Sequence, residues 1–277
     1  QLQHFVDRLY FRQNFLWGSV VAGRQRISWG TGRVWNPTDL FNPINPVSFD
    51  KIEKDGADAV SVKYYMGSFT DLQFVYNPRR ARGQADGVLS APDSSNYGAR
   101  FRSNVAEFDF SVMGGWFDRR VVIGGDFAGN LLDAGVRGEM IYAAENDDRG
   151  AYLRFVLGAD YQFTSRLYAV MELLHNGEGT TSPDDYALYR LFAGEILNVG
   201  RNYLYVGGTY LLHPLVNASF GATIGFGDGS GFAMASATWS TSDNSSLTAG
   251  LLLPSGTPGD EYWFYPASMY LKGDFYF

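Results

Sequence analysis

The chain has 277 residues, a formal net charge of −7, 18% charged and 16% aromatic residues, 33 glycines and no cysteine. The acidic balance argues against a nucleic-acid partner, which requires a basic face, and without cysteine there are no disulfides or thiolate metal sites. Mean hydropathy is −0.16, and no apolar run reaches the roughly 18 residues of a transmembrane helix. Many aromatic residues, few charges and no hydrophobic helix are typical of strands with one apolar and one polar face, because the two faces cancel in any sliding window.

The first clear pattern lies near the N-terminus. From Phe15 to Trp29 the sequence alternates with period two, which predicts a long β-strand. A first strand over Leu2–Arg12 precedes it, across a tight turn at 12–14. The long loop 30–57 follows, and its prolines cannot donate to a β-ladder. We predict a transmembrane strand that runs into an external loop.

Similar alternating runs continue to the C-terminus. The further predicted strands are 58–66, 69–76, 97–102, 105–116, 120–128, 131–143, 151–163, 167–175, 203–212, 218–226, 231–240, 246–253 and 269–277. Every second connection is short, and the connections between them include all the long ones, as in bacterial outer-membrane barrels. Fifteen strands are recognised, whereas single-chain bacterial barrels have an even number. We therefore predict an all-β, antiparallel transmembrane barrel of about 16 strands, with 14 or 18 as alternatives, in one domain over 1–277 that lacks one or more N-terminal strands.

Charges of both signs occupy the face opposite the apolar one. A turn at Ser103-Asn104 would place Arg100 opposite Glu107, a favourable cross-strand pair. A turn at Gly129-Asn130 would place Asp126 opposite Asp133, which either forms an acidic pair able to bind a metal or signals a register error of one residue. The predicted pore-lining residues are Arg24, Arg26, Lys63, Arg100, Arg102, Glu107, Asp109, Arg137, Glu139, Arg154, Asp160 and Glu172.

These charges have two interpretations. They line a water-filled channel and set its ion preference, or they form a salt-bridge network that fills a nearly closed barrel. Because about 16 strands enclose a space too wide for side chains alone to fill, we predict an aqueous lumen narrowed by loops.

One long loop contains a predicted short helix over residues 183–193. Ser182 is its predicted N-cap, Pro183 takes the first helical position, and Gly194 ends it. We expect this helix to constrict the outer opening, and the proline-rich 35–46 loop to fold over the mouth. The predicted constriction and lid residues are Trp35, Asp39, Phe41, Asp184, Asp185, Leu188 and Phe192.

Catalytic motifs are absent from the sequence. It contains no HExxH, GxSxG or P-loop pattern. An outer-membrane phospholipase would need a Ser–His pair with an orienting Asn, and His175 with Asn176 is the one candidate. We therefore predict that the chain is not an enzyme and holds no cofactor or metal.

Two features resemble known families. The last strand, with apolar residues at every second position up to Phe277, looks like the C-terminal signature of outer-membrane proteins, which implies recognition by the barrel-assembly machinery. The segments 23–30 (GRQRISWG) and 36–43 (NPTDLFNP), with DYQF at 160–163, ELLHNGEG at 172–179 and GRNY at 200–203, resemble a large porin-like family of Gram-negative bacteria that includes alginate-export-type barrels. That resemblance implies passive transport or export across an outer membrane, for no particular solute.

Two functions are consistent with the sequence. The leading hypothesis is a monomeric or trimeric channel, set in the lipid bilayer and lipopolysaccharide of a Gram-negative outer membrane, that passes or exports small polar solutes. The alternative is a structural barrel that anchors or sheathes a partner protein in an envelope complex.

Overall fold

In the part of the chain that the structure describes, fifteen β-strands form one antiparallel sheet in which each strand pairs with its neighbours in sequence. The computed structural model describes residues 6–42, 56–78, 95–146, 149–192 and 196–276, with Phe192 as backbone only. The strands are β1 (Leu9–Phe15), β2 (Gly18–Gln25), β3 (Ala57–Tyr65), β4 (Asp71–Asn77), β5 (Asn96–Val105), β6 (Phe108–Phe117), β7 (Arg120–Leu131), β8 (Ala134–Ala143), β9 (Tyr152–Gln162), β10 (Leu167–Asn176), β11 (Asn202–His213), β12 (Val216–Gly225), β13 (Gly231–Ser242), β14 (Ser245–Ser255) and β15 (Ser268–Phe275). The predicted all-β, antiparallel fold is confirmed.

The two ends of the strands differ in their connections. At one end the connections are short, and they comprise 16–17, 66–70, 106–107, 132–133, 163–166, 214–215 and 243–244. At the other end lie 26–56, 78–95, 118–119, 144–151, 177–201, 226–230 and 256–267. We refer to these as the short-turn end and the long-loop end. All the long connections leave from the same end of the sheet.

The two faces of the sheet also differ. One face, which we call the inner face, carries buried residues from many strands, and the segment after β2 packs against it. Gln25, Val75, Val156 and Glu172 are buried on this face. Because neighbouring strands are in register, the inner positions of all the strands follow from these pairings.

The opposite, outer face is apolar and exposed. Val112, in the middle of β6, and Ile123, within β7, are each 57% exposed. Other large apolar residues on this face are Val60, Phe74, Met140, Leu157, Met171, Val206, Phe220 and Leu251. A contiguous apolar surface of this extent is far larger than soluble monomers expose. Exposed apolar surfaces of this kind mark contact with a membrane or with another protein.

Several predicted turns are wrong by three or four residues. The first hairpin turns at Leu16-Trp17 rather than at 12–14, since Phe15 pairs with Gly18. The β5–β6 turn is Ala106-Glu107, both with positive φ. The β7–β8 turn lies at 132–133, so the Gly129-Asn130 dipeptide belongs to a strand. The predicted turns followed residue type, whereas the strands run on until their apolar faces are complete.

The predicted 183–193 helix is also wrong in its form. Pro183–Asp185 makes one 3₁₀ turn, and a separate five-residue helix, α1, spans Leu188–Phe192. The Ser182 side chain makes no capping hydrogen bond. Gly194, the predicted end, lies outside the described residues. Among the described residues, no helix is long and apolar enough to cross a membrane.

Candidate functional site: the inner face and its anchored segment

Residues 26–42, which we call the inner segment, leave β2 at the long-loop end and run along the inner face. Within this segment Thr31 bonds to β7, where its hydroxyl donates to the Phe127 carbonyl (3.3 Å). Trp29 reaches β4, where its indole N–H donates to Gln73 (3.1 Å). Trp35 contacts Tyr205 on β11. One short segment thus touches strands distributed over half of the sheet, so the sheet curves around it.

The carboxylate of Glu172, on β10, holds the middle of the inner segment. Glu172 is 0% exposed and accepts hydrogen bonds from three successive backbone N–H groups. These belong to Arg33, Val34 (2.8 Å) and Trp35 (3.2 Å). A carboxylate that accepts several backbone N–H groups forms charge-assisted bonds, which are stronger than neutral ones. Glu172 therefore binds the backbone of the inner segment, and these bonds do not depend on the side chains of residues 33–35.

Glu139, on β8, binds the same segment on both sides of that point. It is 3% exposed and accepts from the N–H groups of Thr31 (2.5 Å), Gly32 and Thr38 (3.2 Å). The Thr38 hydroxyl also donates to it (2.8 Å). The segment is therefore curled around Glu139, with residues 31 and 38 on the same carboxylate.

Glycine is required where the segment approaches Glu139 most closely. Gly30 has φ +94°, in the left-handed region that L side chains rarely adopt. A Cβ atom there would lie 2.6 Å from both carboxylate oxygens of Glu139 and 2.6 Å from the Thr38 hydroxyl. Only a residue without a side chain fits both the conformation and the space.

Two arginines bind carbonyl groups of the segment. Arg100, on β5, donates to the Ser28 carbonyl (3.4 Å), and Arg137, on β8, donates to the Thr31 carbonyl (3.2 Å). The inner face thus presents acceptors to the N–H groups of the segment and donors to its carbonyls. This arrangement provides the hydrogen bonds that the backbone would otherwise obtain from a strand or from water.

Aromatic packing completes the anchor at the long-loop end. Trp29 is 1% exposed and packs edge-to-face on Phe41, with ring centroids 4.9 Å apart. Both rings contact Phe117 of β6, at 6.4 Å from Trp29 and 5.0 Å from Phe41. Trp35 packs beside Tyr203 of β11, with centroids 6.2 Å apart.

Salt bridges connect many of the other charges of the inner face. Arg100 binds Asp126 (3.2 Å), which also accepts from Ser111. Arg102 binds Asp71 (2.6 Å). The other pairs are Arg137 with Asp160, and Glu178 with both Arg154 (3.3 Å) and Arg190 (2.8 Å). The described inner face is therefore a balanced network and not a surface of one sign.

Most of the predicted pore-lining residues do lie on the inner face. These are Lys63, Arg100, Arg102, Asp109, Arg137, Glu139, Arg154, Asp160 and Glu172. Three others do not. Arg24 pairs in register with Asp58 on the outer face at the long-loop end, where they form a salt bridge (2.8 Å). Arg26 is exposed beyond the end of β2, and Glu107 lies in the β5–β6 turn.

The predicted register pairs change as a result. Arg100 lies opposite Met113 and not Glu107. Asp126 lies opposite Glu139, while Asp133 is in the turn. An acidic cross-strand pair therefore exists, but with a different partner. Within the described residues no group of three His, Cys, Asp or Glu is placed to hold a metal.

The predicted lid residues separate into two groups. Trp35, Asp39 and Phe41 are buried within the inner segment. Asp184 and Asp185 are exposed in the 3₁₀ turn, while Leu188 and Phe192 begin and end α1. Gly30, Thr38 and Asn42 were not predicted as parts of this arrangement; the Asn42 side chain accepts from the Ile27 N–H (3.2 Å) and donates to the Ile27 carbonyl (2.6 Å). The unusual density of Asn, Thr and Asp in 36–42 was the available signal.

The candidate hydrolase pair has other contacts. His175 points to the outer face, where its ring stacks on Phe155 with centroids 5.0 Å apart, and its Nδ1 bonds to Asn202 (2.8 Å). Asn176 lies on the inner face and donates to the carbonyls of Asn198 and Gly200. Successive residues of one strand face opposite sides, so these two side chains do not converge on a shared site.

Comparison of the structure with solved structures shows porin folds. The chain superposes on OccK10 (OpdN) of Pseudomonas aeruginosa with a TM-score of 0.55 and 8% identity, over 90% of this chain and 78% of that one. It superposes on a mutant of the Rh. blastica porin with a TM-score of 0.50 and 9% identity, over 92% of this chain and 88% of that one. No protein-family model matches the sequence, and no curated protein is significantly similar to it. At these identities the likeness shows the fold alone: the chain has the fold of an outer-membrane porin.

Proposed function

We propose that this chain is an outer-membrane channel of a Gram-negative bacterium through which small polar solutes pass by diffusion or are exported. The observation that carries the proposal is the separation of charge between the two faces. Among the described strands, the charged residues of the outer face are Arg24 and Asp58, which pair at its edge. The other charged strand residues point inward, as a water-filled lumen within a lipid-embedded barrel requires.

The inner segment supplies the constriction in this proposal. It enters from the long-loop end and is bound at mid-strand by Glu139 and Glu172, so it narrows the space at the depth of the membrane. This replaces the 183–193 region as the main narrowing element, since α1 is short and is tied by Arg190 to Glu178 at the long-loop end. The passage that remains lies between the inner segment and β12–β15.

Barrel closure is a further part of the proposal. With an odd number of antiparallel strands, β1 and β15 run in the same direction, and they stand at the two ends of the pairing order. One additional antiparallel strand between them would give an even number and remove both edges. We propose a closed barrel of about 16 strands on this ground. From the sequence motifs we also propose a relation to alginate-export-type barrels.

Single-channel recording in planar bilayers tests the function. Wild-type protein should give discrete conductance steps, whereas a barrel that only sheathes a partner should give none alone. The double variant Glu139→Gln/Glu172→Gln should raise the conductance, because neutral amides hold the inner segment less firmly than carboxylates. The variant Glu107→Gln removes an exposed charge of the β5–β6 turn, outside the inner face, and serves as the control. Deletion of residues 183–194 should raise the conductance less than the double variant does. A larger rise in the deletion would show that the constriction lies in that loop.

A further inference from the structure

A second buried carboxylate, Glu261, lies where three connections of the long-loop end meet. It belongs to the 256–267 connection between β14 and β15, and it is 1% exposed. Its carboxylate accepts from the side chain of Asn198 (3.3 Å) and the N–H groups of Val199 and Gly200 (both 3.4 Å). These three residues lie in the β10–β11 connection. The Tyr203 hydroxyl, at the start of β11, also donates to it.

The third connection joins through Asp228. The Glu261 backbone N–H donates to Asp228 (2.9 Å), which lies in the β12–β13 connection. The same carboxylate accepts from the N–H of Ser230 (2.8 Å). Tyr262, the residue after Glu261, is buried and packs on Phe232 with ring centroids 6.3 Å apart. We call this meeting point of 198–200, 228–230 and 260–262 the loop junction.

The loop junction surrounds Glu261 with tyrosine hydroxyls and carboxylates. The titratable groups that face it are Tyr186, Tyr203, Asp228, Asp260, Tyr262 and Tyr265. None of them can supply a positive charge. The arginine beside Gly200, Arg201, is exposed and donates to the Gly179 carbonyl (3.1 Å). Within the part of the chain that the structure describes, the partners of Glu261 are therefore hydrogen-bond donors and not cations.

We propose that Glu261 is a pH-sensitive latch that holds the β14–β15 connection on the β10–β11 connection while it is protonated, and releases it when it ionises. A neutral carboxyl group carries no charge to be desolvated and still accepts hydrogen bonds on its unprotonated oxygen. An ionised carboxylate without a counter-cation gains hydration when the junction opens. Acid therefore favours the closed junction.

The direction of the pH dependence follows from proton affinity. Burial raises the pKa of Glu261 from 4.5 to about 7, against the opposing effect of its hydrogen bonds. The closed state then binds the proton more tightly than an open state with the ordinary pKa. The stabilisation is fully present below the ordinary pKa and is lost as the pH rises through about 7. Between about pH 5.5 and about pH 8.5, the equilibrium constant for opening should rise roughly 30-fold.

Hydrogen exchange measured by mass spectrometry tests the latch without reference to conductance. After correction for the intrinsic exchange rate, residues 198–203 and 256–267 should lose protection together between these two pH values. The variant Glu261→Gln cannot ionise and should keep both segments protected throughout. The variant Asp184→Asn removes an exposed carboxylate of the β10–β11 connection, away from residues 198–200, and should behave as wild type.

Two results would overturn the latch: protection that does not change with pH in the wild type, or a pH dependence that survives in Glu261→Gln. The effect on conductance rests on the proposed channel function, and it is a separate measurement. Conductance that rises with pH in the wild type and not in Glu261→Gln would show that the junction gates the opening. If exchange behaves as expected and no conductance is seen at any pH, the channel function fails while the latch stands.

Discussion

Asp126 of β7 and Glu139 of β8 lie directly opposite each other on the inner face, and each carboxylate has its own set of donors. Asp126 is bound by Arg100 and Ser111. Glu139 is bound by the backbone of the inner segment. Two buried carboxylates on adjacent strands would repel each other. Because each has its own donors, both can remain buried: Asp126 joins β7 to β5 and β6, and Glu139 holds the inner segment.

Replacing Arg100 should therefore destabilise the protein strongly. In Arg100→Gln, Asp126 loses its cation while its side chain is only 3% exposed. Breaking a buried ion pair from one side costs about 3–5 kcal/mol. The measurement is the free energy of unfolding by urea in phospholipid vesicles. Adding Asp126→Asn should restore most of the loss, and a double variant as unstable as the single one would contradict the pairing.

Gly30→Ala should displace the inner segment from Glu139. The new Cβ would meet the carboxylate at 2.6 Å and would occupy a backbone conformation with positive φ. Strain of this kind costs about 1–3 kcal/mol. Limited proteolysis within residues 26–42 and urea unfolding measure the effect. Gly67→Ala is the matched control, because nothing lies within 4 Å of its added Cβ; equal loss in both variants would refute the close approach.

Phe41→Ala should release the end of the inner segment. Phe41 is 4% exposed between Trp29 and Phe117, so truncation leaves a cavity among aromatic rings. Removing such a buried ring costs about 3–5 kcal/mol. Phe69→Ala removes the same side chain from an exposed short connection and should change the free energy of unfolding little. The total tryptophan emission should also shift to longer wavelength in Phe41→Ala as water reaches Trp29.

A charge on the outer face should be costly, and the same charge on the inner face should not. Val112→Arg places a guanidinium at mid-strand against lipid, with an expected loss of about 2–4 kcal/mol. Ser236→Arg places the guanidinium on the inner face of β13, where Ser236 is half-buried. None of the contacts described above for the inner segment reaches this strand. Unfolding in vesicles compares the two. Similar losses in both variants would contradict the assignment of the faces.

Much of the fold was accessible from the alternation of residues. The inner positions of Arg100, Arg137 and Glu172 were predicted because a strand sends successive side chains to opposite faces. The turns were not predicted correctly. Ala106, Glu107 and Leu132 adopt left-handed conformations there, although they are not the glycine or asparagine residues that usually mark such turns. Arg24 was assigned to the wrong face, because the prediction continued the strand through Leu16-Trp17, where the chain turns.

The role of the inner segment depended on contacts across the whole chain. The sequence predicted that residues 30–57 leave a strand and contain breakers, and nothing local distinguishes a loop above the mouth from one folded inside. Thr31 and Glu139 are 108 residues apart, and Arg33 and Glu172 are 139 apart. Glu261 likewise meets Gly200 from a separate connection.

The sequence by itself determined the β fold, the difference between the two faces and the difference between the two ends, because each is a repeating local pattern of side chains and turns. Only the tertiary structure decided that the segment after β2 turns inward and is held by Glu139 and Glu172. A carboxylate selects its backbone donors by position in space, and those positions exist only after the strands have paired and the sheet has curved.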